Sequence, residues 1–132
     1  MSTDISPTPK WMLWTGRVLS TLLSLFMLLD AGMKLAKPEF IVKATVETGF
    51  SESVIFPLGV VLLTCTLLYM LPATNVLGAI LLTGYLGGAV SIHVFKNDGW
   101  FAILFPVLFG IVAWGGLWFR DARIRAIAPF HK

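Results

Sequence analysis

The chain has 132 residues, 57% hydrophobic and 13% charged, with a formal net charge of +3. Soluble domains average about 45–50% apolar and about 25% charged residues, so this composition excludes an ordinary water-soluble domain. The small basic excess suits membrane topology rather than nucleic-acid binding.

Residues 1–10, MSTDISPTPK, form a polar N-terminal tail with two prolines. The apolar run that follows, residues 11–35, is about as long as a bilayer span and has no clear small-residue cleavage site. It reads as a retained helix and not as a cleavable signal. Trp11 and Trp14 stand at its entry, where tryptophan anchors a span at headgroup level. A long charged loop, Ala36 to Ser53, comes next. Its Glu39–Gly49 stretch is expected to form a short interfacial helix ended by Gly49. The second span covers 54–71, with Pro57 tolerated in the first turn and Pro72 stopping the helix. The tight, uncharged turn Pro72 to Asn75 makes spans two and three antiparallel neighbours. Span three covers 76–95, and the short loop Lys96 to Gly99 leads to span four, 100–119, which Pro106 is expected to kink. Residues 120–132 form a basic C-terminal tail. The fold class is all-α: a transmembrane bundle of four helices, up-down, with both termini on the same side.

Lysine and arginine set the orientation. Six lie on or near the side holding the termini, counting Lys10, Arg17, Arg120, Arg123, Arg125 and Lys132, against four on or near the other: Lys34, Lys37, Lys43 and Lys96. The positive-inside rule places both termini in the cytoplasm, with the chain multi-pass in the plasma (inner) membrane. Arg120, Arg123 and Arg125 abut a span, as a topology determinant or as a site for anionic lipid.

Few groups within the spans can carry chemistry. Asp30 and Lys34 are four apart and share one helix face. They read either as an internal ion pair or as the polar floor of a ligand site. His93, near the end of span three, shares their depth and completes a candidate polar site of Asp30, Lys34 and His93. Its other reading is a histidine in wet headgroups. Gly84 and Gly88 form a GxxxG pair that Ser91 extends, a pattern for close helix packing within the bundle or in a homodimer. At about 100° per residue His93 lies opposite Gly84, so the two are expected to meet different neighbours. Tyr85 and Trp114 are candidate aromatics for a pocket that takes a planar ring, with core packing as the alternative. Cys65 is the one cysteine of the chain, which excludes an internal disulfide or Cys-x-x-Cys pair. The two histidines, His93 and His131, make paired haem ligation within the chain unexpected. No metal site is expected, and no P-loop, dinucleotide fingerprint, zinc motif or nucleophile elbow is present.

From Trp14 to Pro129 the chain resembles the DoxX-like membrane proteins. The resemblance is carried by GRVLSTLLSLFMLLDAGMKLAKPEF, by Gly49-Phe50, by PLGVVLLTCTLLYMLPATNVLGAILLTGYLGGAVSIHV and by FPVLFGIVAWGGLWFRDARIR. The Asp30-x-x-x-Lys34 and LGAILLTGYLGGA stretches are the most specific parts. The resemblance implies a small four-helix membrane protein, with some relatives tied to quinone-linked sulfur oxidation. Relatives often carry a glutamate in a GxxELxCT stretch of helix two, and Leu62 stands there in this chain.

The sequence leaves three functions open. One is an accessory or binding scaffold for a lipid, a quinone-like molecule or a partner subunit. The second is a quinone-linked membrane oxidoreductase subunit, with Asp30, Lys34 and His93 managing protons. The third is a small transporter, against which the absence of an evident inverted repeat counts. Quinone is the one cofactor considered. Membrane lipids, a second copy of the chain or a redox-partner subunit are the expected partners.

Overall fold

The computed structural model describes residues 7–127; the first part of the polar tail, and His131 and Lys132, lie outside the described residues. Pro9 leads into α1 (Lys10–Ala36) with φ and ψ suited to a helix entry. The helix stops where Lys37 turns left-handed, at φ 55°, ahead of Pro38. Pro38 then starts α2 (Glu39–Glu47), and Glu39 puts an acidic charge at its N-terminal end. The short helix expected over Glu39–Gly49 is therefore present, and Gly49 follows it at a positive φ of 99°. A single 3₁₀ turn, Glu52–Val54, begins when Ser51 accepts from the Ser53 amide, and it runs into α3 (Ile55–Met70). Leu71 is extended before Pro72, as the residue ahead of proline tends to be. The helices α4 (Asn75–Lys96) and α5 (Trp100–Arg120) follow, separated by left-handed Asn97 and by Gly99 at φ 91°. Pro106 lies inside α5, which continues through it as one helix.

The C-terminal stretch read as a basic tail instead includes a helix, α6 (Ala122–Ile127). Asp121 explains it: its carboxylate accepts from the Arg123 amide at 2.9 Å and so caps the new helix. Arg125 folds back and donates to the carbonyls of Trp118 and Phe119 at 2.7 and 2.9 Å. Both carbonyls stand in the last turn of α5, where helix geometry leaves donors scarce.

Four stretches are long and apolar enough to cross a membrane: α1, Glu52–Met70, α4 and α5. In each, only 22–33% of the most apolar window is buried within the bundle. The rest presents leucine, phenylalanine, valine and isoleucine outward. An apolar exterior of this extent calls for lipid around it. The helices sit at four corners: α1 packs on α3 and α5, and α4 packs on the same two. The core joins Leu23, Met27 and Ala31 of α1 to Leu62, Cys65 and Tyr69 of α3, Ala79 and Leu82 of α4, and Ala113 and Leu117 of α5.

Close approach depends on glycines that sequence periodicity did not single out. A Cβ on Gly16 would lie 2.6 Å from the Gly116 carbonyl oxygen and 2.8 Å from the Arg120 Cβ. One on Gly116 would collide with the Ser20 hydroxyl, and one on Gly78 with the Tyr69 backbone. So α1 meets α5 glycine to glycine, and α4 meets α3 at Gly78. A hydroxyl pair closes the same region. The Tyr69 hydroxyl donates to the Ala113 carbonyl at 2.7 Å and lies 2.9 Å from the Ser20 hydroxyl, with both side chains buried. Hydrogen bonds of this kind in membrane bundles contribute about 0.6 kcal/mol and at most about 1.7. Tyr69→Phe removes both, and a loss of about 1–2 kcal/mol in denaturant unfolding of the solubilised protein is expected. An unchanged midpoint would mean that the clasp adds nothing.

Candidate functional site

The late part of α1, α2, the late part of α4 and the early part of α5 surround a cavity of about 860 Å³. Its wall is mostly apolar, with Phe26, Phe105 and Phe109 on one side. The Phe26 and Phe109 rings stack at 4.6 Å, and Phe105 meets Phe109 edge-on at 4.8 Å. Ile41, Ala44, Thr45 and Thr48 bring α2 and its C-terminal end over the same space. No α2 residue is buried, so this segment lies across the cavity and is not packed into the core.

Asp30, Lys34 and His93 all line this cavity. Shared depth was the expectation, and the three line one cavity. They do not form one bonded triad. Lys34 donates to the Asp30 carboxylate at 2.5 Å, as spacing on one helix face allows. The His93 Nδ1 lies 2.8 Å from an Asp98 oxygen. Asp98, in the loop after α4, was missed by the sequence reading, and only its closeness to His93 in a tight loop could have pointed to it. Lys96 flanks the same carboxylate at 4.0 Å. The Asp98 carboxylate accepts from Nδ1–H and so orients the ring. The polar end of the cavity thus offers an ammonium donor, a carboxylate and an imidazole, above an aromatic and aliphatic wall. That arrangement can hold a molecule with a polar head and an apolar body.

The glycine strip does not pack within the bundle, the first of its two readings. A Cβ on Gly84 or Gly88 would meet nothing within 4 Å, so neither glycine admits a helix of this chain. Gly84, Gly88, Ser91 and His93 line the same cavity, although Gly84 and His93 were expected to meet different neighbours. The cavity takes in residues from much of the circumference of the late part of α4, Tyr85 and Ile92 among them. Tyr85 and Trp114 also part company. Tyr85 lines this cavity, whereas Trp114 lines a groove between α4 and α5 and donates to the Thr83 hydroxyl at 2.8 Å. Both pack against the core.

The three arginines near the C-terminus have separate surroundings. Arg120 lies against Gly16 and neighbours the Tyr69 hydroxyl. Arg125 clasps the end of α5 and donates to the Thr8 hydroxyl at 2.8 Å. Arg123 pairs with Asp121 at 3.1 Å. The Arg123 guanidinium, hydrogen-bonded to it, holds the Asp121 carboxyl below its ordinary range, against a smaller opposing effect of burial. A lowered folded-state value stabilises above the unfolded value of about 3.9 and is lost as pH falls through the lower folded one. Release of α6, read by hydrogen exchange of the Arg123 and Ile124 amides, is therefore expected only below about pH 4, and release near neutrality would contradict it.

Residues 18–116 match the DoxX-like family. The chain belongs to that family. No curated protein and no solved structure matches it. In this DoxX-like chain Leu62, which stands where the resemblance led an acid to be expected, is fully buried in the core. It does not line the cavity. The titratable groups of the candidate site come instead from α1 and from the end of α4. Among the described residues, no cluster of three or more His, Cys, Asp or Glu side chains is arranged to hold a metal.

Proposed function

We propose that this DoxX-like protein is an accessory scaffold of the inner membrane that holds one lipid-soluble amphiphile in the cavity beneath α2. The observation that carries the reading is the cavity itself: Asp30, Lys34 and His93 gather at one part of an otherwise apolar wall of a size suited to a small molecule. Lys34 can donate to a head-group oxygen while Asp30 keeps its second oxygen as an acceptor. The apolar body of the ligand lies against Phe26, Phe105 and Phe109. A quinone-like ring is one head that suits a donor, an acceptor and flat aromatic walls.

The bundle runs up and down with both ends in the cytoplasm, which puts the cavity in the outer leaflet. Supporting this are the Trp11 and Phe119 rings, 6.3 Å apart, and the Arg125 bond to Thr8, which join the two ends of the chain. The lysine and arginine bias supports the sidedness.

The second reading is a quinone-linked oxidoreductase subunit. The His93–Asp98 pair favours it, because a carboxylate-oriented imidazole beside a bound ring can take up a proton. Solvent extraction of protein purified in mild detergent separates the two. The scaffold reading expects a near-stoichiometric amphiphile in the extract. A reduced-minus-oxidised ultraviolet difference on adding a reductant assigns a quinone head, and no such difference assigns a redox-inert lipid. An extract holding only detergent contradicts both.

A further inference from the structure

A second concavity, separate in chemistry from the cavity beneath α2, runs between α4 and α5. We propose that it seats one acyl chain of an anionic phospholipid, with the phosphate lying against α6. The groove has a volume of about 770 Å³ and an almost wholly apolar lining. Two of its polar side chains, Thr83 and Trp114, are hydrogen-bonded within the protein. The Trp114 Nε1–H donates to the Thr83 hydroxyl at 2.8 Å, and that hydroxyl donates to the Ala79 carbonyl at 2.7 Å. With so few polar groups in the lining, and those of Thr83 and Trp114 already engaged, a hydrocarbon chain suits the groove.

Its length points the same way. On α5 it extends from Pro106 to Trp118, about 18 Å by helical rise. One leaflet contributes about 15 Å to a hydrocarbon core of about 30 Å. The depth is made by glycines: a Cβ on Gly87 would meet nothing within 4 Å, and one on Gly110 would touch only the tip of Leu86 at 3.9 Å.

The helix at the end of the groove carries basic residues. Ile124, buried on α6, closes the groove beside Trp118. Arg123 and Arg125 flank Ile124 in sequence, and Asp121 is the one carboxylate among them. The Arg123 side chain is 77% exposed and gives its Nε and Nη2 to Asp121, which leaves Nη1 for a phosphate oxygen. An anionic headgroup is favoured at such a juxtamembrane cation.

The test uses the full chain, delipidated in maltoside detergent and titrated with phosphatidylglycerol or phosphatidylcholine, with adducts counted by native mass spectrometry. One retained phosphatidylglycerol is expected, preferred about fivefold over phosphatidylcholine. Gly87→Phe fills the groove from open space, so it should lose that adduct while its thermal melt stays that of wild type. Arg123→Gln should keep an adduct and lose the preference. Gly84→Trp, in the other cavity, should leave this lipid in place. Wild-type phosphatidylglycerol binding by Gly87→Phe overturns the proposal, as does equal binding of the two lipids by the wild type. So does a change from dimer to monomer on Gly87→Phe, which would make the groove an interface between copies.

Discussion

Gly78→Ala should destabilise the bundle by about 3 kcal/mol, near the upper end of what overpacking usually costs. The added Cβ would overlap the amide nitrogen and Cα of Tyr69 and the carbonyl carbon of Leu68. These are backbone atoms, so no side-chain rotation relieves the contact. The turn between α3 and α4 is short, and Gly78 lies only four residues past Thr74, whose carbonyl accepts its amide at 2.9 Å. Parting the helices there also pulls Tyr69 away from Ser20 and Ala113, so the clasp between α1, α3 and α5 weakens with it. Gly84→Ala and Gly88→Ala are the controls. Each adds a methyl group to open space and should leave stability unchanged or raise it by up to about 1 kcal/mol through helix propensity. Unfolding midpoints of the three variants in one detergent decide the matter. Equal losses for all three would mean that small size along α4 matters generally and that the contact at Tyr69 does not.

Asp30→Leu should destabilise the bundle, by less than the roughly 2.5–3.5 kcal/mol that an unpaired charge costs at the centre of a span, because Lys34 lies in the last turn of α1. Lys34 loses its carboxylate partner, and its side chain is only 18% exposed. Removing both charges in Asp30→Leu/Lys34→Leu should recover most of the loss, because no uncompensated charge then remains. A double variant less stable than the single one would contradict this. Ligand retention should not follow stability. The double variant has an intact bundle and no head-group contacts from α1, so it is expected to retain less amphiphile than wild type despite its recovered midpoint. This separates a role in binding from a role in holding the fold.

The spans were legible because each is a long apolar block between proline, glycine or charged breaks, and their observed limits differ by about one residue from those read in the sequence. Asp30 and Lys34 were legible as a pair because helical spacing alone puts them on one face. The placing of the glycines was not. Gly84 and Gly88 carry the familiar packing pattern yet face open space, whereas Gly16, Gly78 and Gly116 carry no pattern across one helix and make the close contacts. Which glycine meets a neighbour depends on the rotation of two helices about their axes, and periodicity within one helix does not determine that. Two other features were hidden for a similar reason. Asp98 reaches His93 across a turn, and Asp121 converts a basic run into a capped helix. Both act through a single short polar contact in a loop, which leaves no periodic trace.

Native mass spectrometry from mild detergent, on wild type and on Gly84→Trp, tests the α2 cavity most directly. The indole would occupy the cavity from a position where a Cβ meets nothing, so the bundle should fold normally. Wild type is expected to carry one small amphiphile, and Gly84→Trp to lose it with an unchanged melting profile. A wild-type chain free of any such adduct, or an adduct that survives Gly84→Trp, would contradict binding in that cavity.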